Sequence, residues 1–249
     1  EDIARAFPGR SIDLNTMSPW DALFRDDPRL DEAFTIDLRG KERGWRGISQ
    51  WLRRVRAKRY DMVIDLQSSD HTRMLLTLLS LSGRGIRYRV GNVRGYPYNV
   101  SPKTQDAFAP AHENVRHTLA AAGIAATTER PVLHVPQEAI DRATSLLIEA
   151  ELAKDAYVVF LPGSQAAGYL KRWGAARYAA LGRRLHSEEG LSSVLLGGPD
   201  DFEECAAIEA QSGDWLVNLC GRTELLDPVD PKRVVSGKSV DLGGPPLLK

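Results

Sequence analysis

The chain has 249 residues, with 33 basic against 33 acidic side chains, 43% hydrophobic residues and 2 cysteines. That composition excludes a collagen, a disordered polymer and a disulfide scaffold, and the length suits two modest domains that each bury a core. No run approaches the ~18 apolar residues of a membrane span. The most apolar stretch, Met74 to Leu81, is interrupted by Thr77 and Ser80.

Cys205 and Cys220 have neither metal-ligand spacing nor the CxxC of a redox pair, so they read as buried or incidental thiols in a reducing cytoplasm. The chain opens on Glu1 without a charged and apolar leader, and the expectation is a fragment without a signal peptide. Zero net charge hides an asymmetry. Between Arg39 and Lys103 there are 15 Lys or Arg against Glu42, Asp61, Asp65 and Asp70, a local excess of 11 positive charges. Such a segment favours an anionic partner, or else forms a solvated helix face.

Glu1 to Pro8 reads as the end of a helix. Ser11 to Leu14 and Ala33 to Leu38 read as short strands separated by a Pro- and Asp-rich loop. From Trp45 to Arg59, Ile48, Trp51, Leu52 and Val55 recur at helical spacing among arginines, which predicts a basic amphipathic helix. Tyr60 to Gln67 is a strand, Asp70 to Leu81 a helix, Gly85 to Gly91 a strand feeding a long loop, and Ala111 to Ala122 a helix closed by Gly123. Pro131 to Pro136 is extended, and the domain boundary is placed near Val135, giving domains over 1–135 and 136–226.

The second half alternates again. The helix from Gln137 to Leu152 is followed by strand Ala156 to Leu161, a glycine loop, helix Ala175 to Ser187, strand Ser193 to Leu196, helix Asp201 to Gln211 and strand Trp215 to Leu219. Alternation of this kind predicts an α/β class with parallel sheets, in which ligands sit beyond the carboxyl ends of the strands. Neither GxGxxG nor GxxxxGK[ST] occurs, so the dinucleotide fingerprint and the P-loop are both missing.

The most informative stretch is Val158 to Gln165, a strand running into Pro162-Gly163-Ser164, followed by Lys171-Arg172-Trp173 just before a helix. A strand, a turn with a hydroxyl and free amides, and then cations at a helix start suit a phosphate, with Ser164 donating to an oxygen and Lys171 neutralising charge. A plain loop with a surface lysine has the same spacing.

These residues resemble the ADP-heptose:lipopolysaccharide heptosyltransferases of glycosyltransferase family 9. The carriers are Leu161-Pro162-Gly163-Ser164 with Lys171-Arg172-Trp173, then Val194 to Pro199, then Asn218 to Leu225, in the family's order. Tyr60 to Gln67 and His112 to Gly123 fit more loosely. The resemblance covers Ile3 to Leu226 and implies a GT-B architecture of two Rossmann-like domains, the first binding the acceptor and the second, here incomplete, the nucleotide sugar.

The implied reaction transfers a heptose from ADP-heptose to the inner core of lipopolysaccharide, with inversion and without metal or other cofactor. Ser164 and Lys171 match the donor-phosphate positions. An acid after Gly197-Gly198-Pro199 accepts the ribose hydroxyls, with Asp201 and Glu203 both candidates; an acid there also satisfies a helix dipole. The acceptor that the resemblance implies is an anionic lipid-linked saccharide at the inner face of the cytoplasmic membrane. It gives Arg53, Arg54, Arg56, Arg59 and Arg73 a partner, implies peripheral contact with the membrane surface, and points to a cytoplasmic enzyme. Gln67, Ser68 and His71, just past a strand end, suit direct acceptor contact, and His71 is disfavoured as a base.

Two departures accompany the match. The family's opening strand and loop, with the aspartate taken as general base, have no counterpart after Glu1, so the fragment is expected to lack turnover. Residues 227–249 diverge, and their proline and glycine content predicts an irregular tail. The runners-up are another GT-B transferase with a different nucleotide and a non-catalytic module for anionic glycolipid. Nucleic acid is disfavoured for want of a recognised motif.

Overall fold

The computed structural model describes residues 1–37, 44–67, 69–81, 85–103, 110–128, 132–152, 157–164 and 172–228. The chain divides into two compact units, Glu1–His134 and Val135–Lys249.

In the first unit, helix α1 (Asp2–Ala6) precedes strand β1 (Asp13–Thr16), a 3₁₀ turn over Trp20–Phe24 and strand β2 (Glu32–Thr35). Helix α2 (Trp45–Lys58), strand β3 (Met62–Asp65), helix α3 (Asp70–Leu81), strand β4 (Tyr88–Gly91) and helix α4 (Ala111–Ala121) follow. The four strands form two parallel pairs, Asp13 opposite Glu32 and Met62 opposite Tyr88 at their starts. Among the described residues these are two separate ladders, with none joining β1 to β3. One apolar cluster holds both pairs together: Phe34 of β2, Ile48, Trp51 and Val55 of α2, and Leu75, Leu76 and Leu79 of α3.

Helix α2 turns one face to that cluster, as its apolar spacing requires. The Trp51 indole N–H donates to Asn15 Oδ1 on β1 at 2.9 Å, so its polar edge is satisfied inside the core. The helix ends where Arg59 adopts the left-handed conformation with φ of 53°. Two of its cations are committed. Lys58 bridges Asp13 and Glu32 at 3.0 Å each, and Arg54 pairs with Glu32 while its guanidinium lies 4.3 Å from the Phe34 ring centre.

The second unit is built from helix α5 (Gln137–Glu149), strand β5 (Tyr157–Phe160), helix α6 (Ala175–Glu189), strand β6 (Ser192–Leu195), helix α7 (Phe202–Glu209) and strand β7 (Leu216–Asn218). All three strands are parallel in the order β5-β6-β7. The central strand is covered on both faces, which is why Ser193 to Leu196 reads as a continuous buried run rather than an alternating one. Leu195 packs with Phe160, Leu185, Cys205 and Ile208, while Val194 and Leu196 pack with Leu219 and, on the other side, Leu146 of α5. Gly182 lets α6 approach the Trp215 ring, which a methyl group at that position would overlap.

Most element boundaries shift by a few residues from expectation, and two departures matter for the site and the tail. The helix expected from Asp201 begins one residue later, after a 3₁₀ turn over Pro199–Asp201. Asp227, expected to open the irregular tail, is buried: its Oδ1 accepts from Arg142 at 2.9 Å and its Oδ2 from the Glu224 amide at 2.8 Å. The remainder of that tail, from Val229 onward, lies outside the described residues.

Candidate nucleotide site

The three parallel strands of the second unit all end at the same edge. Beyond β5 the chain continues through Leu161 to Ser164, and beyond β6 through Leu196 to Asp201. Between these turns lies a recess of about 320 Å³ lined by Leu161, Gly163, Ser164, Leu196, Gly198, Pro199, Asp200 and Asp201. Its position at the carboxyl ends of parallel strands is where α/β folds take ligands.

Close backbone approach builds the recess. Gly163 lies against the Asp201 carboxylate, and a methyl group there would overlap it. A Cβ at Gly197 would meet Asp201 Cβ at 2.9 Å and Cys220 Sγ at 3.0 Å, while Gly221 accommodates the Phe202 ring. Asp201 Oδ2 accepts from the Gly198 amide at 3.1 Å, and the Asp201 amide returns a bond to the Gly198 carbonyl at 3.0 Å. This reciprocal pair fixes the turn that Gly197-Gly198-Pro199 begins.

Arg172 joins the two turns. Its Nη2 donates to the Asp200 carbonyl at 3.1 Å, to the Ser164 carbonyl at 3.4 Å and to Asp201 Oδ1 at 3.4 Å, and its Nε reaches Ser164 Oγ at 3.4 Å. The start of α6 completes the surroundings. Trp173 meets Tyr178 edge-on with ring centres 5.2 Å apart, and the Tyr178 hydroxyl donates to the Leu161 carbonyl at 3.4 Å. Burial, reinforced by the negative charge of Glu204, raises the Tyr178 pKa above that of a free phenol.

Of the residues expected to contact the donor, Ser164 and Asp201 line the recess. Glu203 is exposed on the first turn of α7 and is not among the lining residues, because the 3₁₀ turn brings Asp200 and Asp201 to the recess instead. Lys171 lies outside the described residues. Asp200 joins the lining without being expected there, and Arg172, one of the cations expected before α6, bridges the two turns. Asp200 is the first acid after the glycine turn, a signal that was available.

Of the residues expected to contact the acceptor, Gln67, His71 and Arg73 lie where β3 runs into α3, while Ser68 lies outside the described residues. The Gln67 amide donates to Asp65 Oδ1 at 3.1 Å, and the Tyr98 hydroxyl donates to Asp65 Oδ2 at 2.5 Å. Asp65 is thereby an internal anchor at the strand end, with Tyr98 lying flat over Gly91, which has no room for a side chain. His71 is exposed and Arg73 half-buried on the first turn of α3. On α2, Arg46, Arg53, Arg56 and Arg59 are exposed, and Trp45 at its start is 75% exposed. Among the described residues, no helix is long and apolar enough to cross a membrane.

The fold is shared with solved glycosyltransferases. A family 9 glycosyltransferase from Veillonella parvula superposes with a TM-score of 0.75 at 19% identity, covering 91% of this chain and 65% of that one. The E. coli ADP-heptose LPS heptosyltransferase II superposes at 0.62 with 22% identity, over 91% of this chain and 68% of its own. E. coli heptosyltransferase WaaC with ADP gives 0.59 at 19% identity, over 88% and 68%. The chain thus spans about two thirds of the length of these structures. The comparison with curated proteins gives no match. The sequence model of glycosyltransferase family 9 (heptosyltransferase) matches residues 48–230, the greater part of the chain, and the chain belongs to that family.

Proposed function

We propose that the second unit binds the diphosphate nucleotide of a sugar donor, and that the whole protein transfers a heptose from ADP-heptose to an anionic lipopolysaccharide core acceptor, with inversion and without a metal. The observation that carries this reading is the recess between the Ser164 turn and the Gly198–Asp201 turn, bridged by the Arg172 guanidinium. In this assignment Ser164 donates to a phosphate oxygen, Lys171 neutralises charge beside it, and Asp200 or Asp201 accepts from the ribose hydroxyls. Glu203 is the weaker ribose candidate, since it stands off the lining.

The chemistry follows from where charge develops. As the sugar–oxygen bond breaks, negative charge accumulates on the departing diphosphate. Cations and amides held in place beforehand stabilise that growing charge more than they stabilise the bound donor, and this difference accelerates the reaction. On the acceptor side, Gln67, Ser68, His71 and Arg73 are assigned to the saccharide. The exposed arginines of α2 attract its phosphates and the anionic membrane surface on which it is presented. Arg54 is removed from that role, because Glu32 and Phe34 hold it.

Isothermal titration of the 249-residue chain with ADP, UDP and GDP tests the donor assignment. The reading expects ADP to bind, more weakly as salt rises, and UDP and GDP to bind less well. Absence of ADP binding contradicts the site, and equal binding of all three contradicts an adenine-nucleotide donor.

A further inference from the structure

The geometry points to Arg172 as the positioning residue that sets the distance between the phosphate-side turn and the ribose-side turn, so that the recess selects ligands reaching both. This rests on the reading of the recess as a nucleoside diphosphate site. Every bond given above for Arg172 ends on a residue of the recess lining: the Ser164 hydroxyl and carbonyl on one side, the Asp200 carbonyl and Asp201 carboxylate on the other. Its side chain is only 13% exposed, and its planar fork reaches both turns from one position. A lysine ammonium holds its three donors on one atom at the end of a flexible stem. It can stand in for Nη2 but not for the Nε contact to Ser164 Oγ, and it lacks the rigid plane that fixes the two contacts relative to each other.

The energetic consequence is specific. A ligand with a ribose at one end and a diphosphate at the other gains from both turns only if their spacing is preset. Binding at one end then presents the other at high effective concentration. A ligand that engages one turn alone gains nothing from the preset distance. The spacing that Arg172 sets therefore governs the ratio of affinities between the whole ligand and its parts, rather than affinity for either part.

The test measures binding of ADP, adenosine and inorganic pyrophosphate to the wild-type chain and to its Arg172→Ala and Arg172→Lys variants, with thermal unfolding as a check on folding. Arg172→Lys, which keeps the charge, is expected to lose about tenfold in ADP affinity while adenosine and pyrophosphate change less than about twofold. Arg172→Ala loses pyrophosphate affinity as well, because its cation is gone, and leaves adenosine within about twofold. Parallel loss of all three ligands overturns the proposal, since it marks a collapse of the site. Recovery of ADP affinity by the lysine variant also overturns it, because charge alone then suffices. If Arg172→Ala does not fold, the lysine variant decides on the same criteria. A wild-type chain that binds none of the three removes the site reading itself, an outcome distinct from loss confined to the variants.

Discussion

Gly163 and Asp201 occupy adjoining space: the Asp201 carboxylate fills the position where a side chain at residue 163 would begin. The two turns of the recess therefore touch, and a missing side chain in one makes room for the anchor of the other. Gly163→Ala is expected to push the carboxylate away from the Gly198 amide, lowering stability by about 1–3 kcal/mol, the usual cost of overpacking. ADP affinity should fall together with it. Thermal unfolding and titration of the variant check both, and an unperturbed melting temperature contradicts the contact.

Asp201 carries two separable tasks. Its Oδ2 accepts from the Gly198 amide and its Oδ1 faces Arg172. Asp201→Asn keeps an acceptor for the amide, whereas Asp201→Ala leaves none and should cost about 1 kcal/mol more than the asparagine variant. Denaturant unfolding of both variants measures the difference. Equal stabilities would show that the amide bond contributes nothing.

Cys205 is fully buried on α7 and packs beneath β6. Burial first, and the neighbouring Cys220 second, push its thiol up to about 12 from an ordinary value of 9.0. Between those values the unfolded chain releases this proton while the folded chain keeps it, so stability declines as pH rises through that window. Cys205→Ala should flatten the alkaline limb of the stability–pH curve. In the native protein near neutral pH, a bulky thiol reagent should modify Cys220, which is partly exposed, well before Cys205. Mass spectrometry after brief alkylation reads the order directly.

In the first unit, buried Asp27 accepts from the Arg29 side chain through both oxygens, at 2.7 and 2.5 Å, and from its backbone amide at 3.0 Å. The Arg29 guanidinium holds the Asp27 carboxyl below the usual carboxylate range. The folded form thus binds its proton less readily than the unfolded form. The resulting stability is present above the ordinary carboxylate pKa and is lost as pH falls through the depressed one. Asp27→Asn should remove this acid dependence and destabilise the unit by about 2–4 kcal/mol, since Arg29 exchanges its buried carboxylate partner for a neutral amide and retains the more exposed Glu1 at 2.9 Å. Urea unfolding at pH 7 and pH 3 separates the two effects.

The elements were legible because their patterns are local. Ile48, Trp51 and Val55 give α2 its period, and Val194-Leu195-Leu196 just before the glycine pair marks a short strand. What escaped the sequence depends on contacts between distant loops. Arg172 meets Ser164 across 8 residues and Asp201 across 29, distances that no periodicity encodes. The choice among Asp200, Asp201 and Glu203 turned on one turn of 3₁₀ geometry. Starting the helix at Asp201 puts Glu203 near the ligand, whereas the 3₁₀ turn leaves it on the outside. Similarly, the arginines of α2 look alike in sequence, and only the pairing of β1 with β2 places Glu32 where it takes up Arg54.

Titration of the isotopically labelled chain with ADP, followed by backbone amide shifts, tests the nucleotide site most directly. The account predicts the largest changes at Gly163, Ser164 and Gly198 through Asp201, with saturation at a common affinity. Shifts centred on the first unit, or none at any ADP concentration, would contradict it.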